Sequence, residues 1–404
     1  MSIRKRIWTT VQGETKEAWT VAYSAGSRRH IKTFSTQREA KSWAAKTTIE
    51  IERGVHTASS RSATVVEAGR LWLETAEKNK LERATIDHYR QHLNLHIAPR
   101  LGRLKLSELS VPVVRQFEDH VAKHVRRGRV ISAGSVRKII TSLSGILADA
   151  QERGLVTHNV VRELRRARHG GGKERGRKLK VGVDIPTPAE TKAILAAAHD
   201  RWRPFLLIAV FCGLRASELR GLRWKDVDFD KAEIRVQQRM DRYNTAGPPK
   251  SAAGERTVPV PPPVLTALKE WRLACPKGPA DLVFPNGRGK AENHANIVTR
   301  GLWPIQIAAG VADIVKDADG KVVLDKDGKP VMQARYLGLH ALRHFFASWC
   351  INRKVDGGLE LPLKVVQERL GHSSVTMTAD RYGHLFPRGD DSSELATAAA
   401  RLLT

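Results

Sequence analysis

Cysteine is scarce here, with three in 404 residues. Cys212, Cys275 and Cys350 are far apart and odd in number, which excludes a disulfide framework and a zinc site alike. No stretch approaches the roughly 18 consecutive apolar residues that a membrane helix needs. The longer apolar runs, such as Phe205 to Cys212, suit buried helices. The opening Met1-Ser2-Ile3-Arg4-Lys5-Arg6 has no apolar core behind it, so no secretory leader and no membrane partner are expected. A reduced cytoplasm is the expected setting. Gly170-Gly171-Gly172 is followed by no Gly-Lys-Ser/Thr and is not flanked by a strand and a helix in the order a phosphate loop requires. A carboxylate cluster of the kind that holds catalytic metals is also missing.

Basic charge is what the chain has in excess. Sixty-nine Lys and Arg stand against 42 Asp and Glu, a net +27. Residues 1–180 hold 37 basic and 17 acidic side chains, and residues 181–404 hold 32 and 25. Such a balance favours a polyanionic partner, nucleic acid above all, with the first half built for grip. A merely soluble basic surface is the plainer alternative.

The length and the pattern predict a multidomain, mainly α chain with small β-sheets. Residues 1–57 read as a three-stranded sheet plus a helix: Trp19 to Tyr23 and His30 to Phe34 alternate as strands, and a helix follows from Thr36 to about Arg53. Gly54 to Ser62 is a linker. Residues 62–169 read as a helical domain, with helices near Val65 to Leu73, around Tyr89 to Ile97, from Val111 to Val125 and from Ser135 to Arg153. Pro99 and Gly102 are expected to break the chain before Leu104. Arg137, Lys138, Arg165, Arg166 and Arg168 on its surface suit phosphate contacts. A Gly-rich basic linker spans 170–184, and its Lys173 is a further candidate for DNA contact. Residues 185–404 read as a mixed, mainly helical domain opened by a capped helix start at Thr187-Pro188-Ala189-Glu190. Strands are expected over 233–238 and 256–260. Val315 to Met332 reads as a hairpin with two Asp-Gly turns. It lacks the ligand spacing and closing Glu of a calcium loop.

Four clusters in this last domain carry chemistry. Cys212-Gly213-Leu214-Arg215 places Gly213 at the end of a buried helix and Arg215 at the junction beyond it, three residues before Glu218. Alone, Arg215 is a structural ion-pair partner of Glu218. Lys250 lies in an expected β-turn and is the only lysine between Lys231 and Lys269. His340 and Arg343 are three apart and share a helix face, with Leu342, Phe345, Phe346 and Trp349 left to pack the other side. Leu370-Gly371-His372 is followed, ten residues after His372, by Tyr382. Each cluster alone is ordinary: a turn lysine is usually solvated and a late tyrosine usually packs.

Taken in this order, the clusters resemble the tyrosine recombinase (phage integrase) family, whose pattern is Gly-Leu-Arg-x-x-Glu, a hairpin Lys, His-x-x-Arg, Leu-Gly-His and then Tyr. The stretch from Tyr89 to Leu109 resembles that family's SAM-like core-binding domain. Residues 1–57 resemble the arm-binding domain of lambda-type integrases. Ala341 stands where Asp is common and Phe345 where Thr is common, and the 317–329 segment looks like an insertion.

The resemblance implies site-specific integration and excision of a mobile element, a prophage or genomic island. Strands would be cut and rejoined through a 3′-phosphotyrosine on Tyr382. Arg215, Arg343 and His372 would stabilise the charge on the non-bridging oxygens, since guanidiniums offer fixed, always-charged donors. His340 would be the general base and Lys250 the general acid. With cations supplying the charge, no metal or other cofactor is expected. The implied partners are double-stranded attachment sites, three further copies of the chain in a tetramer exchanging C-terminal helices, a host DNA-bending protein and a directionality factor. The alternatives are a type IB topoisomerase-like relaxing enzyme and a binding-only architectural protein or repressor from a decayed element. The N-terminal modules weigh against the first and the intact set of six residues against the second. A general nuclease would need a metal or water-activating site that the sequence does not offer.

Overall fold

The computed structural model describes residues 1–25, 28–52, 62–126, 129–164, 178–386 and 391–403. The chain divides into two compact units, Met1–Arg168 and His169–Thr404. Arg165, Arg166, Arg168 and Lys173, with most of the two linkers, lie outside the described residues. Among the described residues no helix is long and apolar enough to cross a membrane.

The first unit opens with an antiparallel sheet of β1 (Ser2–Thr9), β2 (Thr15–Ala25) and β3 (Arg28–Phe34), followed by α1 (Gln37–Glu52). Alternation along β2 turns Trp19, Val21 and Tyr23 to one face, where Val21 packs with Ala40 and Ala44 of α1 and with Ile3, Phe34 and Trp43. The register sets Val21 opposite Ile3 and Trp19 opposite Phe34. β1, a strand that the alternation at 19–23 and 30–34 did not locate, completes the three-stranded sheet.

A second core gathers α2 (Val65–Lys78), α4 (Ala98–Leu101), α5 (Val111–Lys123) and α6 (Ala133–Glu152), with a short hairpin of β4 (Val125–Arg126) and β5 (Arg129–Val130) before α6. Between α2 and α4, α3 (Arg83–His92) buries no residue fully and stacks Tyr89 on Trp72 of α2. Thr64 and Glu67 cap α2 reciprocally. Val136, Ile139, Ile140, Leu143, Ile146 and Leu147 form the buried stripe of α6. The helix ends at Leu101, with Gly102 as its cap and before Leu104, as expected, but Pro99 lies inside it rather than at the break. A π turn over Leu93–Ile97 precedes it, with the Ala98 N–H reaching back to the Leu93 carbonyl. The widened turn carries the helix through a residue with no N–H to give.

In the second unit, α7 (Pro188–Ala197) begins with the Thr187–Glu190 capping box expected from the sequence. The buried α8 (Trp202–Phe211) follows, and then α9 (Ala216–Gly221). A sheet in the order β10-β7-β6 joins β6 (Val227–Asp228), β7 (Glu233–Val236) and β10 (Arg256–Pro259), and β8 (Arg239–Met240) pairs with β9 (Ala246–Gly247) in a separate hairpin. After α10 (Pro262–Ala274), α11 (His294–Asn296) and α12 (Trp303–Ala308), β11 (Ala312–Ile314) and β12 (Met332–Ala334) form the base of the expected insertion. The insertion is two tight turns in tandem rather than one hairpin. Val323 N–H bonds the Val315 carbonyl, Val331 N–H the Val323 carbonyl, and Val315 N–H the Val331 carbonyl. The domain closes with α13 (His340–Ile351), α14 (Leu363–Leu370), α15 (Val375–Tyr382) and α16 (Asp391–Leu403). One continuous core takes in α8, α13, α14 and the sheet.

Candidate active site

Three helix ends and a strand converge on one cluster. Gly213 closes α8 with a positive φ of 61°, and a Cβ there would meet Phe346 at 2.1 Å, so only glycine fits. The chain then turns so that Arg215 stands at the start of α9. Its Nη1 donates to Glu218 Oε1 at 2.7 Å and its Nη2 to the Gly371 carbonyl at 2.8 Å. The ion pair expected with Glu218 therefore forms, and the same guanidinium ties α9 to the end of α14.

Arg343, on α13, is 1% exposed. Its Nη1 donates to the Gly213 carbonyl at 2.5 Å and its Nη2 to the Leu370 carbonyl. Burial, followed by the charge of Arg215, pushes it down to about 9. Two guanidiniums thus stand side by side on the carbonyls that end α8 and α14. Gly371 ends α14 in the left-handed region, φ 62°, and turns the chain so that His372 enters the core. His372 Nδ1 lies 2.9 Å from Thr378 Oγ1, and its ring runs parallel to that of Tyr382 with centroids 6.2 Å apart.

Tyr382, the last residue of α15, is 1% exposed. Burial raises its phenol pKa, against the opposing pull of Arg343, Arg381 and Arg215. Its hydroxyl lies 2.7 Å from Nδ1 of His344. The phenol's partner is thus the second histidine of His340-Ala-Leu-Arg-His344. His340 lies edge-on to His344, ring centroids 4.6 Å apart. Desolvation, with Arg343, Arg381 and Arg215, holds His340 down at about 4. Desolvation and then His340 hold His344 at about 3, and desolvation and then Arg343 hold His372 at about 4. All three imidazoles are neutral at physiological pH.

Sequence reasoning did not single out His344 or Arg256. Arg256, on β10, donates to Glu218 Oε2 at 2.8 Å and Oε1 at 3.2 Å, to the Arg369 carbonyl at 2.8 Å and to the Gly254 carbonyl at 3.0 Å. Burial alone would raise Glu218, but the bonds and charge of Arg256, then the charge of Arg215, hold it at about 2. An arginine at the start of the short strand that follows the motif lysine was the available signal. Lys250 is exposed, on the loop after β9 rather than in a turn between two paired strands. The loop meets the cluster at Ala253, whose carbonyl lies 2.9 Å from where a Cβ on Gly371 would stand. Arg137 and Lys138 are exposed on α6. Among the described residues no group of three or more His, Cys, Asp or Glu side chains could hold a metal ion.

This spatial cluster coincides with a match to the model of the phage integrase family over residues 186–388, half the chain. The chain belongs to the phage integrase family. A second model, the phage integrase N-terminal SAM-like domain, matches residues 64–121. A tyrosine recombinase XerC-like protein of Caldanaerobacter subterraneus subsp. tengcongensis is 27% identical over 332 residues, 78% of this chain and 78% of that one. Two solved structures are similar in fold. The Tn1549 transposon integrase, in complex with transposon right end DNA, has a TM-score of 0.61 at 18% identity, covering 85% of this chain and 100% of that one. The lambda integrase, as a tetramer bound to a Holliday junction, has a TM-score of 0.53 at 17% identity, covering 92% and 96%. This phage integrase family member is a tyrosine site-specific recombinase.

Proposed function

We propose that this recombinase integrates and excises a mobile element by transesterification at Tyr382. The observation that carries the reading is the convergence of Arg215, Arg343, His372 and Tyr382, from four separate helices or their flanks, on one buried cluster. Double-stranded DNA is the substrate, as in the Tn1549 complex, and a multimer on DNA is the working assembly, as in the lambda complex.

The scissile phosphate takes the place beside the two guanidiniums. Cleavage passes through a five-coordinate phosphorus carrying extra negative charge, and fixed cationic donors stabilise it more than the ground state. Thr378 occupies Nδ1 of His372, which leaves its Nε2 to face a phosphate oxygen. The Tyr382 oxygen forms its bond to phosphorus as its proton passes to an imidazole, and the bond from phosphorus to the 5′ oxygen breaks. His340 is the proposed base, reaching the phenol by way of His344. Lys250 supplies a proton to the leaving oxygen. The phosphotyrosine conserves the bond energy, so rejoining is the same step run backwards by a 5′-hydroxyl.

The N-terminal modules supply further grip on DNA. The face of the β1–β3 sheet away from α1 presents Arg4, Arg6, Arg29, Thr33 and Ile31, and α6 presents Arg137 and Lys138. These fit an arm-type reader over 1–57 and a core-binding domain over 62–169, joined through the 170–184 linker to a catalytic domain over 185–404. Exposed Leu395, Leu402 and Leu403 on α16 suit exchange between protomers in a tetramer.

The test is a nicked duplex cut from the end of the element, incubated with the full chain and run on a denaturing gel. A covalent protein–DNA band that disappears in Tyr382→Phe is expected. A band that persists in that variant overturns the assignment of the nucleophile. Binding without a band in the unmodified chain would favour the binding-only alternative.

A further inference from the structure

We propose that Arg220 is a positioning residue for Lys250, holding the hairpin that delivers this lysine to the leaving 5′ oxygen; the proposal rests on the reading of Lys250 as general acid. Arg220 lies on α9, five residues after Arg215, and is 4% exposed. A guanidinium so buried must place its donors on acceptors. Its Nε donates to the Glu292 carbonyl at 2.7 Å. Its Nη1 donates to the Asp241 carbonyl at 2.9 Å and the Met240 carbonyl at 3.3 Å, and its Nη2 to the Asn244 side-chain oxygen. Three of these four acceptors belong to the end of β8 and the turn that follows it.

The grip is reinforced next door. Gln238 Nε2 donates to the Gly221 carbonyl at 3.0 Å, and a Cβ on Gly221 would lie 2.9 Å from the Arg239 Cα. The hairpin backbone is therefore pressed against the same short helix that begins at Arg215. The turn itself is stiff, because Asp241 Oδ1 accepts from both the Tyr243 and Thr245 N–H groups at 2.8 Å. β9 ends at Gly247, and Pro248-Pro249 leads straight to Lys250. Two prolines with fixed φ make a semi-rigid spacer, so the placing of the hairpin is passed on to the lysine. At the far end of the loop, Pro249 covers Gly254, whose carbonyl accepts from Arg256. Arg220 and Arg256 thus hold the two ends of the lysine loop, and both are tied to α9.

In cleavage, the Tyr382 oxygen–phosphorus bond forms, the phosphorus–5′ oxygen bond breaks, and the Lys250 proton moves to that oxygen. If the bridging oxygen is replaced by sulfur, the leaving group is a thiol with a pKa of about 8.5, which departs as thiolate without a proton donor. A defect that acts through Lys250 must therefore vanish on the sulfur substrate, and a defect in the arginine cluster or in folding must not.

The experiment measures single-turnover cleavage by the full chain of a nicked duplex from the element's end, with oxygen or sulfur at the scissile bridge. The proteins are the unmodified chain, Lys250→Ala, Arg220→Lys and Asn244→Gly. The last keeps the positive φ of that turn and removes only the acceptor. General acid catalysis is worth roughly 10²–10⁴-fold. Lys250→Ala should lose that factor on oxygen, and the other two about 10–100-fold, with duplex affinity unchanged. On sulfur all should cleave within about threefold of the unmodified chain. Equal loss on both substrates, or no loss on oxygen, overturns the role of Arg220. Should Arg220→Lys not fold, Asn244→Gly decides alone. Failure of sulfur to rescue Lys250→Ala overturns the general-acid reading itself, and this inference with it.

Discussion

The hydroxyl of Tyr382 and Nδ1 of His344 lie 2.7 Å apart in a part of the core closed to solvent. The pair joins α15 to α13 by a single hydrogen bond between the proposed nucleophile and a neutral imidazole. Removing one partner leaves the other buried and unsatisfied, at a cost of about 1–3 kcal/mol. His344→Phe and Tyr382→Phe should each destabilise the second unit by about that much. The double variant should lose clearly less than their sum. Urea melts of the four proteins give the coupling, and strict additivity would show that the bond contributes nothing.

Arg215 and Arg343, the two proposed phosphate donors, differ in what they hold within the protein. Arg215 is one-third exposed and spans Glu218 and Gly371, whereas Arg343 satisfies two carbonyls inside the core. Both Arg215→Ala and Arg343→Ala should lower cleavage by on the order of 100-fold or more, the usual effect of losing one transition-state donor. Only Arg343→Ala should also lower the melting temperature strongly, because the Gly213 and Leu370 carbonyls are left without their donor. Equal melting temperatures for the two variants would contradict this division. Paired cleavage and thermal-melt measurements decide it.

The site also fixes how stability responds to acid. His344 at about 3 and His372 at about 4 take up protons less readily folded than unfolded, where the ordinary value is 6.5. The unfolded chain therefore binds more protons below pH 6.5, and stability falls as pH drops from 6.5 towards 4 and below. Glu218, at about 2 against an ordinary 4.5, contributes stability that is present above 4.5 and lost as pH falls towards 2. The midpoint of urea unfolding should decline between pH 7 and 5, before Glu218 titrates. His344→Phe should flatten that decline. Glu218→Gln should leave it unchanged while lowering stability at pH 7 by roughly 3–5 kcal/mol, because Arg256 loses its buried counter-charge. A midpoint independent of pH from 7 to 5 would refute the assignment.

Much of this arrangement was legible in the sequence because it is local. The helix end at Gly213, the capping box at Thr187, the Arg215–Glu218 pair and the helix starting at His340 each depend on residues within a few positions of one another. The resemblance of the ordered motifs to a known family then implied what spacing alone could not, that they meet, as Arg215, Arg343, His372 and Tyr382 do. The partner of Tyr382 was not legible, because helical spacing relates His344 to His340 and is silent about a helix 38 residues on. Arg256 was hidden for the same reason: its bonds to Glu218 and Arg369 cross long stretches of chain. Pro99 misled because a π turn upstream, invisible in a hydrophobic pattern, removes the clash that proline usually causes. The 315–331 segment showed its Asp-Gly turns but not that they repeat in register.

That repeat bears on what the insertion does. Asp317 Oδ1 accepts from the Asp319 and Lys321 N–H groups, and Asp325 Oδ1 from the Asp327 and Lys329 N–H groups. The backbone bonds among Val315, Val323 and Val331 lie within the segment, and Val322 and Leu324 are 42% and 56% exposed. The attachment to the domain lies below, where Arg335 bonds Asp313 and Glu190, and Gln306 bonds Tyr336. Since β11 and β12 pair through Ile314 and Met332, Val315 and Val331 are the next residues on the two strands. Replacing residues 316–330 with Asn-Gly should close them with a two-residue turn suited to the strand twist. The shortened chain should melt within about 3 °C of the full one, since a 1 kcal/mol change corresponds to about 2–4 °C in a domain of this size. Its cleavage of the nicked duplex should stay within about threefold. A fall in melting temperature beyond 10 °C would show that the turns stabilise the catalytic domain. A loss of cleavage at unchanged stability would place the segment in contact with DNA.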